Sequence, residues 1–178
     1  NPATTGNSRK NLAQSIDASL GRLGTDRIDI LWVHMDDTVT AIDEIVRGLE
    51  DAVRAGKVTY VGFSNFAAWR VARAVTLAEW RGWARPIGVQ VEYSLAERSA
   101  DRELLPMADA LGLGVAAWSP LGGGLLTGKY RRGDPGRATG FGRMVHREDS
   151  PARTALLDRL TEIAGEQGAS MSQVALAW

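Results

Sequence analysis

Four short apolar runs, each stopped by a polar residue, constrain this chain more than any other feature. They are Ile28-Asp29-Ile30-Leu31-Trp32-Val33-His34, Val58-Thr59-Tyr60-Val61-Gly62-Phe63 before Ser64-Asn65-Phe66, Ile87-Gly88-Val89-Gln90-Val91 before Glu92-Tyr93-Ser94-Leu95, and Val115–Trp118 before Ser119-Pro120. Nearly continuous apolar runs of strand length predict strands buried on both faces, as in a parallel sheet. Helical periodicity fills the intervals. Leu12, Ile16 and Leu20 follow Ser8 as N-cap and stop near Gly24. Ile42, Ile45, Val46, Leu49 and Val53 form one face behind a Thr40–Asp43 capping pair and stop at Gly56. Val71, Ala74, Val75 and Ala78 face inward from a helix over Ala67 to Arg81, and Leu104 to Leu111 is a short helix with Pro106 in its first turn. Strands alternating with helices predict an α/β fold with a parallel sheet and right-handed crossovers.

The rest of the chain has a different texture. Arg131 to Asp149 shows no periodicity and reads as a long surface loop. Ser150-Pro151 opens a helix carrying Leu156, Leu157, Leu160 and Ile163. Ser170 with Gln173 is a capping box for a last helix that runs to Trp178.

Composition narrows the function classes. The 178 residues suffice for one domain with a core, and the formal net charge is zero, so neither a nucleic-acid groove nor an acidic lipid surface is implied. The absence of cysteine removes disulfides and thiolate nucleophiles and suits a cytoplasmic protein. No apolar run is long enough for membrane insertion, and no secretory signal pattern opens the sequence. The first residue is Asn1, so the expectation is a processed chain or part of a longer polypeptide.

Polar residues gather where the strands end: His34, Ser64 with Asn65, Gln90, and Trp118 with Ser119. His34 suits general acid–base work or hydrogen bonding to a substrate oxygen; the alternative is an imidazole satisfied by a neighbouring carbonyl. Ser64 and Asn65 could bind a carboxamide, or make a turn and cap the helix at Ala67. Gln90 needs partners for both ends of its amide, which a nicotinamide carboxamide or backbone groups would supply. Trp118 offers a ring for stacking, or core packing. Lys129 suits contact with a phosphate, or is a solvated loop charge. Gly123 to Lys129 fits most of a P-loop, but Tyr130 stands where serine or threonine would hold magnesium. No G-x-S-x-G elbow surrounds Ser64 or Ser119, which disfavours a Ser-His-Asp hydrolase. The two histidines, His34 and His146, lack metal-ligand spacing, so no metal site is expected.

Several ordered motifs resemble the aldo-keto reductase family over essentially the whole chain. They are Leu20-Gly21-Arg22-Leu23-Gly24-Thr25-Asp26 before Ile30–His34, then Gly56-Lys57-Val58 to Gly62-Phe63-Ser64-Asn65, Gln90-Val91-Glu92-Tyr93-Ser94-Leu95, and Trp118-Ser119-Pro120-Leu121 to Leu126-Thr127-Gly128-Lys129-Tyr130. The Trp118 form is similar to the bacterial and channel-β-subunit-like branch. The resemblance implies a (β/α)8 TIM barrel that reduces aldehydes or ketones with NADPH. It places His34 as the catalytic histidine, and Ser64, Asn65 and Gln90 on the nicotinamide carboxamide. It places Trp118 against the nicotinamide ring, and Ser119, Pro120, Leu121, Gly122, Gly123 and Lys129 on the pyrophosphate side.

The resemblance also implies a tyrosine general acid with its lysine and aspartate on strands ahead of Asn1. A segment for the adenosine 2′-phosphate would follow Trp178. The expectation is therefore one domain over 1–178, a partial barrel of about four parallel strands with flanking helices, inactive or nearly so alone. Its two sheet edges would favour aggregation or pairing with another copy. The alternative is an NADPH-binding regulatory subunit of the channel-β kind.

Overall fold

The computed structural model describes residues 5–136 and 146–178. Its elements run α1 (Arg9–Leu23), β1 (Ile28–Val33), α2 (Ile42–Arg54), β2 (Val58–Ser64), α3 (Ala68–Arg81), β3 (Gly88–Glu92), α4 (Leu104–Ala110), β4 (Gly114–Trp118), α5 (Pro151–Glu166) and α6 (Met171–Ala177). Short 3-10 turns cover Ser99–Asp101, Gly122–Thr127 and Lys129–Arg132. The four strands form one sheet in the order β1-β2-β3-β4, with β1–β2 and β2–β3 parallel. This is the expected partial (β/α)8 arrangement: four strands, each followed along the chain by helix or loop.

Two compact units make up the chain, one of 1–91 and 101–116, the other of 92–100 and 117–178. In the first, α1 starts where Ser8 Oγ accepts the Asn11 N–H and ends at left-handed Gly24. Its core packs α2 and α3 on β2 and β3 through Ile45, Leu49, Val61, Phe63, Val71, Val75 and Val89, all essentially solvent-free. Register decides which residues share a position: Trp32 pairs with Gly62, Gly62 with Gly88, and Ser64 with Gln90.

Burial on both faces does not hold for every strand. Ile30 is 44% exposed and Val115 46%, on the strands at the two ends of the sheet order. An apolar run shows how a strand can be covered, but coverage depends on what packs on each face: Tyr60 of β2, the register partner of Ile30, is 52% exposed although its strand has two neighbours. The interior of the sheet is filled differently. A Cβ on Gly62 would lie 2.4 Å from Cζ3 of Trp32, and one on Gly88 would lie 3.5 Å from Cη2 of the same ring. The indole thus occupies the space that Gly62 leaves open, whereas at Gly88 it is the Gly114 carbonyl oxygen, 2.7 Å from a Cβ there, that leaves no room for a side chain.

Two capping expectations also change. Ala41, not Thr40, precedes α2, because the Thr40 hydroxyl is committed to Asp37 Oδ2 at 2.6 Å. Ala67 stands before α3 without a side-chain cap, so Asn65 does not cap it.

The second unit buries Leu125, Leu126, Leu157, Leu160 and Ala175 together, with Leu121, Met171 and Val174 packed against them. Ser150 caps α5 by accepting from the Arg153 N–H, and Ser170 and Gln173 form the expected capping box of α6. Part of the predicted Arg131–Asp149 loop, 137–145, lies outside the described residues. At its start Arg131 grips Glu148 and Asp158, at 2.5 and 2.6 Å.

Candidate functional site

In the first unit the parallel register sets Ser64 beside Gln90, each at or near the C-terminal end of its strand. The buried Ser64 hydroxyl donates to Gln90 Oε1 at 3.2 Å. Asn65 follows with φ 57, a left-handed conformation that asparagine tolerates better than most residues. Its Nδ2 donates to the His34 carbonyl at 2.8 Å and to Ser64 Oγ at 3.0 Å. The residues predicted from strand ends are therefore joined: His34 to Asn65, Asn65 to Ser64, Ser64 to Gln90. In this amide orientation Gln90 Nε2 and Asn65 Oδ1 have no partner among the described residues. One donor and one acceptor is what a carboxamide requires. The His34 imidazole is exposed, and no carbonyl among the described residues satisfies it.

The loop from His34 to Ala41 is held from several sides. Asn7 Nδ2 donates to the Met35 carbonyl and the Asn7 N–H to Asp37 Oδ2, each at 2.7 Å. Asp36 Oδ1 accepts from the N–H of Thr38, which has φ 60. Burial alone would raise the Asp37 pKa. Hydrogen bonds from the Thr40 hydroxyl and from the N–H groups of Asn7, Thr40 and Val39 outweigh it and lower the value to about 2. Arg70 of α3 reaches the same loop, pairing with Asp36 at 3.1 Å and donating to the Thr40 carbonyl at 2.8 Å. Sequence reasoning missed Arg70; the available signal was an arginine next to Val71 on the inward face of α3.

In the second unit Ser119, Pro120, Leu121, Gly123 and Lys129 line one cavity of about 310 Å³, with Gly124 and Thr127. Gly122 is buried outside this lining, facing Ala96 and His146 Cδ2. Gly124 sits at φ 100, a conformation that residues with a side chain rarely adopt, and a Cβ there would lie 2.8 Å from Lys129 Cε. Tyr130 Oη donates to the Gly123 carbonyl at 2.7 Å, a bond unlike any in a P-loop cradle. Trp118 is partly buried, and its indole Nε1 is shielded without a partner among the described residues. Ser119 has φ 53. Thr38, Asn65 and Ser119 are the non-glycine residues with positive φ among the described residues; Asn65 and Ser119 directly follow β2 and β4, and Thr38 lies in the loop after β1. Strain of this kind concentrates at functional positions.

A network not anticipated from sequence sits in the same unit. His146 Nε2 meets Glu92 Oε1 at 3.1 Å, and Arg153 Nη2 meets His146 Nδ1 at 3.2 Å. Ser99 hydrogen bonds, through side chain and then backbone, hold the Glu97 carboxyl below its ordinary range. No cluster of three metal-ligating side chains exists among the described residues. Among them, too, no helix is long and apolar enough to cross a membrane.

Parallel strands with helical crossovers and polar groups at the strands' C-terminal ends define an α/β protein of the barrel class. The model of the Aldo/keto reductase family matches residues 1–178, and the chain belongs to that family. It is 42% identical over 168 residues to the uncharacterized oxidoreductase YrpG of Bacillus subtilis, covering 94% of this chain and 50% of the relative. It is 36% identical to versiconal hemiacetal acetate reductase of Aspergillus parasiticus over 97% of this chain and 51% of that one. It is 34% identical to a protein of Schizosaccharomyces pombe named as a voltage-gated potassium channel subunit beta, over 99% and 54%. The chain spans about half the length of these relatives.

Proposed function

We propose that this chain is part of an oxidoreductase that reduces aldehydes or ketones to alcohols with NADPH, in the cytoplasm. The observation that carries the reading is the linked set His34–Asn65–Ser64–Gln90, which leaves one amide donor and one acceptor unused. In this reading Gln90 and Asn65 take the carboxamide, with Ser64 fixing the Gln90 amide. Trp118 takes the nicotinamide ring, with its shielded, unpartnered Nε1 available to a polar neighbour. Ser119, Pro120, Leu121, Gly122, Gly123 and Lys129 serve the pyrophosphate: five line the cavity, Gly122 shapes the loop behind it, and the Lys129 ammonium supplies charge. NADPH, when bound, supplies the hydride. His34 orients the carbonyl and polarises it by a hydrogen bond to its oxygen, with no competing partner on its imidazole among the described residues. A closed barrel of this class runs to ~250 residues, and we propose that 1–178 forms one domain that acts as part of such a barrel.

A second reading, an NADPH-binding regulatory subunit, is favoured by the potassium-channel relative and by Trp80, 76% exposed at the end of α3 farthest from Asn65.

The test is an NADPH titration followed by quenching of tryptophan fluorescence, with turnover of a reactive aldehyde measured alongside. Saturable quenching that is lost in Trp118→Ala supports the cofactor assignment. Binding with no turnover in any form of the protein favours the regulatory reading. A folded chain that shows no quenching overturns the assignment of these residues.

A further inference from the structure

The loop carrying His34 makes no strand or helix of its own. From His34 to Ala41 it depends on groups reaching in from elsewhere. Asn7 fixes Met35 and Asp37, Asn65 fixes the His34 carbonyl, and Arg70 fixes the far end. The contact of Arg70 is unlike the others. Its side chain and that of Asp36 are each 10% exposed, so the charges meet largely out of water. Arg70 Nε lies 3.1 Å from Asp36 Oδ2 but is not aligned as a hydrogen bond, which makes the contact chiefly electrostatic. Nη2 of the same guanidinium donates to the Thr40 carbonyl at 2.8 Å. The group rests 5.8 Å from the ring centroids of Phe66 and Trp69.

This arrangement is expensive for the helix that supplies it. Arg70 is the third residue of α3, where the helix dipole disfavours a cation, and the first turn holds no acidic residue to offset it. A buried ion pair adds little stability over apolar side chains of similar size. Neither the helix dipole nor core energetics therefore accounts for an arginine here. Its reach does: a rigid, planar fork can hold a carboxylate and a carbonyl at once, which a lysine ammonium does less well. With Asn65 five positions earlier, the start of α3 holds the His34 loop at both ends.

We propose that Arg70 is a positioning residue for His34, acting through Asp36 and the Thr40 carbonyl rather than on the imidazole itself. The proposal rests on the reading of His34 as the group facing the substrate carbonyl. It predicts that losing the fork lets His34 sample several orientations while the fold and the cofactor groups persist.

His34 and His146 are the two histidines of the chain, so their imidazole C–H resonances separate cleanly in a heteronuclear NMR spectrum. Arg70→Met combined with Asp36→Leu removes both charges and leaves neither buried alone. Arg70→Lys keeps the charge and loses the fork. The expected result is a His34 signal that broadens or splits in both variants, less so in Arg70→Lys, with the His146 signal unmoved. The NADPH quenching midpoint should stay near that of the parent. A His34 signal superimposable on the parent in Arg70→Lys and in the double variant overturns the proposal. So does equal movement of both histidine signals, which would make Arg70 a residue of general stability. If the double variant fails to fold, the same comparison in Arg70→Lys decides. Failure of the parent to bind NADPH would count against the function proposed above and leave the His34 comparison intact.

Discussion

Trp32 on β1 and Gly62 on β2 stand opposite each other in register, and the indole fills the place of the missing side chain. On the next strand Gly88 pairs with Gly62, and there the Gly114 carbonyl oxygen, 2.7 Å from a Cβ, excludes a side chain.

Gly62→Ala should therefore be costly. The new methyl would lie 2.4 Å from Trp32 Cζ3 and 2.9 Å from the Gly88 carbonyl oxygen, one a side chain and one backbone. Overpacking of this kind destabilises by about 1–3 kcal/mol. Urea unfolding should show a lower midpoint, and adding Trp32→Ala should recover only part of it, because the clash with the carbonyl remains. An unchanged midpoint would mean that the ring does not lie where the structure puts it.

Asp37 gives a pH dependence of defined sign. Its folded pKa, about 2, lies below the ordinary 3.8. The carboxylate thus contributes stability that is full above the ordinary value and fades as pH falls towards 2. Allowing for solvent screening, this amounts to about 1–2 kcal/mol. Asp37→Asn should be less stable than the parent at neutral pH, with the gap closing by pH 2. Denaturant midpoints across that range check it, and a gap independent of pH would refute the assignment.

Asn65 separates conformation from chemistry. At φ 57 an alanine costs about 1 kcal/mol or more that a glycine does not. Both substitutions remove the bonds to the His34 carbonyl and Ser64 Oγ. Asn65→Ala should unfold at lower denaturant than Asn65→Gly, while NADPH quenching weakens in both. Equal midpoints would show that the strain is relieved elsewhere.

The capping box of α6 is open to a local test. Ser170→Ala removes the acceptor for the Gln173 N–H and should destabilise this short helix by about 1 kcal/mol. Amide hydrogen exchange within Met171–Ala177 should quicken, with the α3 amides unaffected. Unchanged exchange in α6 would mean that packing on Leu157 and Leu160, not the cap, holds it.

Much of this was legible in the order of residues. Four apolar runs ending on His34, Ser64, Gln90 and Trp118 announced both the sheet and its polar ends, because packing gives a buried strand no reason to stop on an amide or an imidazole. Ser8, Ser150 and Ser170 announced their helices because capping is a local bond. What escaped was non-local. Thr40 looked like a cap until Asp37 took its hydroxyl, and Asn65 looked like a cap until His34 and Ser64 took its amide. Arg70 shows locally only as an arginine on the inward face of α3; its partners lie some thirty positions earlier, which the local pattern does not reveal. The exposure of Ile30, Tyr60 and Val115 depends on what covers each face of the sheet, which periodicity does not record.

The pairing of Ser64 with Gln90 has a consequence for how the Gln90 amide is held. Adjacent strands are spaced at about 4.8 Å by their backbone hydrogen bonds, and these two side chains stand one spacing apart. The hydroxyl that fixes the Gln90 amide therefore reaches it from a distance set by the spacing of the sheet. Substitutions in the surrounding loops can open or narrow the approach. The spacing itself changes only if one strand slips on the other, and a slip of one residue would turn the side chain of the slipped strand to the opposite face and part the pair.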